Sequence, residues 1–153
     1  MRARPGEAHP PIRDYGGEPF VFNIRHAALM NENFRTTLWT GRDLQLTLMS
    51  IPVCGDIGVE MHDDVDQFLR VESGRAKVYM GSCRSDLQEQ SCVEGGDAIL
   101  IPAGTWHNVV NVGRCPLKLY SVYAPPQHPA GTVHRTKEDA ERAGHQSRHS
   151  PHS

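Results

Sequence analysis

Residues 96–111 restrict the fold of this chain more than any other segment, because glycine, proline, histidine and asparagine occur there at fixed intervals. The segment reads GDAILIPAGTWHNVVN. Gly96 allows a turn into the apolar run that follows it, Pro102 ends that run, and Gly104 supports a tight reversal. We therefore predict two short strands joined by a tight turn, with His107 near the start of the second strand.

Short apolar runs of this kind recur along the middle of the chain, and turn-forming residues bound each of them. Seven or more short strands at such spacing are typical of an all-β sandwich or barrel. The predicted strands are Leu44–Val53, Val59–Met61, Gln67–Val71, Ala76–Met80, Ala98–Ile101, Trp106–Val112 and Pro116–Tyr123. Helical periodicity is weak: it predicts a short surface helix over Thr136–Ala143, and Asn31–Leu38 could form a further turn or two.

The length of 153 residues predicts one domain. We divide the chain into an extended or disordered arm (1–19), a barrel domain (20–136) and a polar, largely disordered C-terminal segment (137–153). The net charge of −2 and the lack of a basic patch argue against nucleic-acid binding. No apolar run has the length of a membrane span, and the polar start of the chain is unlike a signal peptide, so we expect a cytoplasmic protein.

The four cysteines do not have the spacing of a metal knuckle, and we expect mostly free thiols in a reducing compartment. Cys83 and Cys92 flank a polar turn, so a disulfide between them is the alternative.

The segment 96–111 resembles the second motif of the cupin superfamily, in which Gly, five residues, Pro, one, Gly, two, His, three and Asn follow in order. All five positions match: Gly96, Pro102, Gly104, His107 and Asn111. The resemblance covers roughly residues 40 to 125, and the chain looks most like the small single-domain cupins called mannose-6-phosphate-isomerase-like. It implies a double-stranded β-helix, or jelly-roll barrel, in which His107 is a metal ligand. The alternative for His107 is a hydrogen-bonded core histidine.

Residues 54–74 resemble the first cupin motif with changes. That motif reads Gly, five residues, His, one, His, three or four, Glu, six, Gly. Counting back from Gly74 puts Gln67 at the Glu position and His62 at the second His. The first His position then holds Glu60, and the opening Gly position holds Cys54. Glu60 and His62 are two residues apart, so both face the same way on a strand.

Every ligand position of the two motifs therefore still holds a donor. The implied metal ligands are Glu60, His62, Gln67 and His107. Their formal charge is −1, as in the usual set of three histidines and one carboxylate, because Glu60 supplies the charge that Gln67 lacks. The set suits one divalent transition metal per chain (Fe, Mn, Zn, Ni or Co), with positions left for water or substrate. The alternative is a metal-free barrel in which Glu60 and Gln67 only hydrogen-bond.

Two functions fit this sequence. The first is a metalloenzyme acting on a small polar carbonyl or hydroxyl compound, by isomerase-like proton transfer or Fe(II)-type dioxygenation. Glu60 and His134 are then candidate bases, and Tyr123 is a candidate proton donor. Packing alone is the alternative for Tyr123, and a surface tail is the alternative to a lid for the proline-rich segment 124–136. The second function is a non-catalytic small-molecule-binding or sensing protein. The resemblance also implies a homodimer.

Overall fold

The computed structural model describes residues 9–148, which form two β-sheets and two helices. The strands are β1 (Arg35–Thr40), β2 (Gln45–Ile51), β3 (Asp66–Ser73), β4 (Arg75–Gly81), β5 (Gln88–Glu94), β6 (Ala98–Ile101), β7 (Trp106–Asn111), β8 (Leu117–Ala124) and β9 (Val133–His134). The helices are α1 (Ile24–Met30) and α2 (Lys137–Arg148). The predicted all-β double-stranded β-helix with a C-terminal helix is confirmed.

The described strands pair antiparallel, in the order β6-β3-β8-β2-β1-β9 in the larger sheet and β5-β4-β7 in the smaller one. Strands that are distant in sequence are neighbours in both sheets, as where β8 lies between β2 and β3. The two cupin-like motifs meet through this arrangement. Residue 60 precedes β3, residue 107 lies in β7, and an isolated antiparallel bridge joins them.

Apolar side chains from the two sheets form the main core between them. Leu69 and Met49 of the larger sheet and Val109 of the smaller one are fully buried there. Leu46 and Leu48 point to the other face of β2, where they pack against α1 in a second cluster. The helix thus explains why β2 is buried on both faces. Truncating a core leucine of this kind to alanine lowers the free energy of unfolding by about 2–5 kcal/mol.

Several parts of the structure differ from the sequence prediction. The helical turn predicted over Asn31–Leu38 is wrong, because the helix ends at Met30 and a strand begins at Arg35. The β-branched residues of β1 pair with β2 and β9 and are buried, and this pairing overrides local preference. The predicted strand Val59–Met61 is reduced to the bridge at Glu60. The C-terminal helix runs to Arg148, beyond its predicted end at Ala143, and it lies within the segment 137–153 that was expected to be largely disordered. Residues 149–153 lie outside the described part.

All four cysteines are free thiols on the surface. Neither helix of the described residues is long and apolar enough to cross a membrane.

Candidate metal centre

Glu60 and His107 lie opposite each other in a closed antiparallel bridge. The Glu60 N–H donates to the His107 carbonyl at 3.0 Å, and the His107 N–H donates to the Glu60 carbonyl at 2.9 Å. The next ligand position is fixed as well, because the Gly104 N–H donates to the His62 carbonyl at 2.7 Å. The turn of the second motif thus holds the first motif in register, and the three side chains converge.

The three side chains bring their donor atoms together. Oε1 of Glu60 lies 3.6 Å from Nε2 of His107 and 3.7 Å from Nε2 of His62. One donor atom from each residue lies within 4.8 Å of the other two, a spacing at which all three can bind one metal ion.

Hydrogen bonding leaves the imidazole nitrogens of the cluster free to bind a metal. Nδ1 of His107 lies 3.0 Å from the Thr105 carbonyl, which only accepts, so Nδ1 carries the proton and Nε2 has a free lone pair. Nε2 of His107 and Nε2 of His62 are buried and have no hydrogen-bond partner among the described residues. Unpartnered buried polar atoms are costly, so the donor set fits a metal ion better than a purely structural cluster.

Gln67 also presents a free oxygen. Its amide Nε2 donates to the Ser121 hydroxyl at 2.8 Å, while its buried Oε1 has no partner in residues 9–148. The predicted alternative, a hydrogen bond between Glu60 and Gln67 in a metal-free barrel, is not formed in this part of the chain.

Glu60 is ionised in this environment. Burial acts to raise its pKa, but interaction with His107 and His62 and the positive charge of Arg35 outweigh burial and hold the pKa of Glu60 well below its usual range. The carboxylate is 28% exposed, so it lies at the border between the core and an open cavity.

This cavity has a volume of about 1290 Å³ and reaches from the ligand cluster to the segment after β8 and to helix α2. Side chains from distant parts of the chain line it, among them Arg35, Glu60, His62, His128, His134 and Lys137. The segment 124–136 therefore borders the cavity, which the sequence left open. A small molecule can enter here and meet the ligand cluster.

Tyr123 of β8 is buried beside the cluster. Its ring lies edge-on to His62, with the centroids 5.8 Å apart, and to His128, at 5.2 Å. Burial raises the pKa of Tyr123, although the Arg35 charge partly opposes this rise. The phenol therefore stays protonated at neutral pH and can act as a proton donor.

His134 of β9 lies beside Arg35 and lines the same cavity. Its Nδ1 is 3.1 Å from Nη1 of Arg35, and because a guanidinium only donates, Nδ1 is the acceptor and Nε2 carries the proton. Burial and the Arg35 charge lower the pKa of His134, despite the opposing charge of Asp139. His134 is thus a neutral imidazole whose Nε2–H can donate, and its role as a base stays a prediction.

Arg35 and His128 line the cavity and were missed in the sequence. Nε2 of His128 is buried without a partner in the described chain, and burial together with the Arg35 charge lowers its pKa to about 3. The signal available for His128 was its place in a proline-rich segment. Arg35 gave no signal, because nothing next to it in the sequence indicates burial.

Known proteins have sequences similar to that of this chain. A family model described as "Cupin domain" matches residues 47–123. The protein YrkC of Bacillus subtilis (strain 168), described as uncharacterized, is 57% identical over 129 residues, which cover 84% of this chain and 69% of YrkC. The uncharacterized protein L612 of Acanthamoeba polyphaga mimivirus is 37% identical over 115 residues, covering 74% of this chain and 70% of L612.

Solved structures agree with the fold. The crystal structure of BH2720 from Bacillus halodurans superposes with a TM-score of 0.84 at 58% identity, over 86% of this chain and 99% of that one. The structure of KdgF from a Halomonas species superposes with a TM-score of 0.53 at 19% identity, over 61% of this chain and 78% of that one. The second match shows the fold alone.

Proposed function

This chain belongs to the cupin domain family, and from this premise we propose that it is a metal-dependent enzyme acting on a small polar carbonyl or hydroxyl compound. The metal ligands are Glu60, His62, Gln67 and His107. A single observation carries the proposal: three converging side chains offer a carboxylate and two buried imidazole nitrogens that have no other partner among the described residues.

The donor set and the side chains around it support chemistry on a bound oxygen. A divalent transition metal held there would polarise a carbonyl or hydroxyl oxygen of the substrate. Tyr123, buried and protonated, supplies a proton to that oxygen or to an adjacent carbon, and Glu60, the candidate base, takes up the proton that the substrate loses. His134 directs its Nε2–H donor toward negative charge that develops on the substrate, and the protein surroundings exclude bulk water from Tyr123.

Groups beyond the four ligands favour an enzyme over a binding protein. A sensor needs only to hold its ligand, whereas this cavity is also lined by two neutral imidazoles, His128 and His134, with the protonated phenol of Tyr123 packed against His128 and His62. Isomerase-like proton transfer uses these groups directly. Dioxygenation is the second candidate reaction, because two histidines and one carboxylate are also the donors of non-haem iron oxygenases.

Metal content of a matched pair of proteins tests the ligand assignment. We expect about one divalent metal ion per chain in the wild type after reconstitution with Mn²⁺, Fe²⁺, Co²⁺, Ni²⁺ or Zn²⁺, measured by elemental analysis. His107→Gln removes a nitrogen ligand while keeping a polar side chain of similar length, and we expect its metal content to fall by at least about tenfold. Equal metal content in the two proteins would exclude His107 as a ligand.

Tyr123→Phe provides the test of catalysis, because it leaves the four ligands intact. It should keep the wild-type metal content and circular dichroism spectrum but turn over substrate about 10²–10⁴ times more slowly. Unchanged turnover would exclude Tyr123 as the proton donor. Wild-type protein that binds a co-purified compound without turning it over, with or without oxygen, would make the chain a binding or sensing cupin.

A further inference from the structure

Arg35 is a buried positive charge that forms no ion pair with a carboxylate among residues 9–148. Only 5% of this residue is exposed, although it lies at the start of a strand that borders the cavity. Its Nη1 donates a hydrogen bond to Nδ1 of His134, a neutral group, and its Nε has no partner among the described residues. A buried guanidinium usually pairs with an anion, because desolvating an unpaired charge is costly.

The surroundings hold this guanidinium in place. Its Cζ lies 5.3 Å from the centroid of the Phe34 ring, and residue 35 pairs with Met49 on one side and with His134 on the other. Tyr123 forms a further polar contact with it. Arg35 is therefore held beside the cavity that Glu60 and His62 also line, and its buried Nε has no hydrogen-bond partner among the described residues.

The formal charges of the site favour the binding of an anion. A divalent metal with Glu60 as its one charged ligand has a formal charge of +1, and Arg35 adds a second positive charge inside the same cavity. The other cations that line the cavity differ from Arg35: Lys137 pairs with Asp56, Arg142 pairs with Asp139, and Arg84 is exposed to solvent. Of the described lining residues, Arg35 is the buried cation left for a substrate.

We propose that Arg35 binds the carboxylate of a small 2-oxo or 2-hydroxy acid, while the oxo or hydroxyl oxygen of that acid reaches the metal ligands. This inference rests on the proposed function, because it assigns the substrate class of the same site. Carboxylate fits better than phosphate at the Arg35 end of the cavity, because one guanidinium pairs fully with a monoanion, whereas a phosphate dianion held there would keep one charge unpaired.

Calorimetric titration of the metal-loaded protein tests this assignment, with pyruvate and lactate as the acids and pyruvamide and lactamide as their neutral counterparts. At least one acid should bind at least about tenfold more tightly than its amide, as expected when one charge-assisted pair is gained. Arg35→Gln should remove this difference, and Arg35→Lys should keep part of it. Arg42→Gln removes an exposed arginine and should behave as wild type.

The outcomes separate this inference from the proposed function. Metal content measured on the same samples should be equal in the wild type and in Arg35→Gln, because Arg35 is not a ligand. If the wild type holds no metal, the proposed function fails, and the acid-to-amide ratio of the metal-free proteins still tests Arg35.

Four results would overturn the carboxylate assignment. They are binding of neither acid, equal affinity for acid and amide, an acid affinity unchanged in Arg35→Gln, or tighter binding of inorganic phosphate than of both acids. A structural role gives a further contrast: it would lower the melting temperature of Arg35→Gln without ligand, whereas removal of an unpaired buried charge should leave that temperature unchanged or raise it.

Discussion

Glu60 occupies a ligand position that holds histidine in the usual cupin pattern, and it takes over the negative charge that residue 67 would otherwise supply. Its backbone is fixed by the two hydrogen bonds to His107, so a different side chain at this position starts from the same place. Gln67 is held through Ser121, whose hydroxyl can also donate to a carboxylate. We therefore expect both positions to tolerate exchange of the donor type.

Exchanging these two donors is a direct test of charge compensation. Glu60→His changes the formal ligand charge from −1 to zero. It should weaken Mn²⁺ binding by at least about tenfold, because a carboxylate attracts a divalent ion far more strongly than an imidazole. The double variant Glu60→His with Gln67→Glu restores a charge of −1 and should recover affinity to within a few-fold of wild type. Competition titration with a fluorescent chelator measures both. A double variant as weak as Glu60→His would show that the carboxylate must come from residue 60.

Cys54 supports the register from which these ligand positions were counted. Its φ of 67° lies in the left-handed region, where glycine is favoured, and the motif has its opening glycine at this position. Counting back from Gly74, whose φ is 103°, thus places a residue of the correct backbone geometry at the other end of the motif. Backbone conformation is a local property, so spacing of turn residues predicts it well.

At the scale of whole elements, two anchors hold the segment after β8 beside the cavity. Gln45 is fully buried; its Oε1 accepts hydrogen bonds from the N–H groups of Gln127 and His128, and its Nε2 donates to the His128 carbonyl. Farther along, Lys137 at the start of α2 pairs with Asp56 before the first ligand. The orientation of His128 and His134 depends on these contacts.

Releasing the second anchor should loosen α2 in a pH-dependent way. Burial acts to raise the pKa of Asp56, but hydrogen bonds from Lys137 and Asn108 outweigh it and lower the pKa below the ordinary value of 3.8. The ion pair therefore stabilises the docked helix above about pH 4, and this contribution is lost as the pH falls further. Lys137→Met should speed amide exchange in α2 about three- to fivefold at pH 7, since such half-exposed pairs contribute 1 kcal/mol or less.

Hydrogen exchange followed by mass spectrometry measures this effect. Glu138→Gln, on the same helix and exposed, is the control that should leave exchange unchanged. Lowering the pH below 4 should reduce the difference between Lys137→Met and the wild type after correction for intrinsic exchange. A difference that is the same at both pH values would mean that the Asp56 charge does not hold the helix.

For the molecule as a whole, features set by neighbouring residues were predictable and features set by distant ones were not. Strand β6 has its predicted bounds, Ala98–Ile101, because a glycine pair and a proline delimit it. Strand β5 was missed because only Val93 of its seven residues is buried, so the sequence carries no alternation. The same distinction applies to the site: motif spacing indicated His107 and Glu60, but burial of Arg35 depends on strands and segments far along the chain.

Metal binding should also change the stability of the whole barrel, because the metal-free site leaves buried polar atoms of His62, Gln67 and His107 unpartnered in the described residues. A ligand at 100 times its Kd stabilises the folded state by about 2.7 kcal/mol. For a domain of this size that corresponds to a rise in melting temperature of roughly 5–10 °C. Scanning calorimetry of chelator-treated protein with and without Mn²⁺, Fe²⁺, Co²⁺, Ni²⁺ or Zn²⁺ measures this rise.

Two neighbouring variants serve as test and control. His107→Gln should lose most of the rise in melting temperature. The matched variant Asn108→Gln, one residue along β7 and directed at Asp56 rather than at the ligands, should keep it. An equal rise in His107→Gln would place the metal elsewhere, and no rise with any of the five ions would remove the metal centre from this cavity.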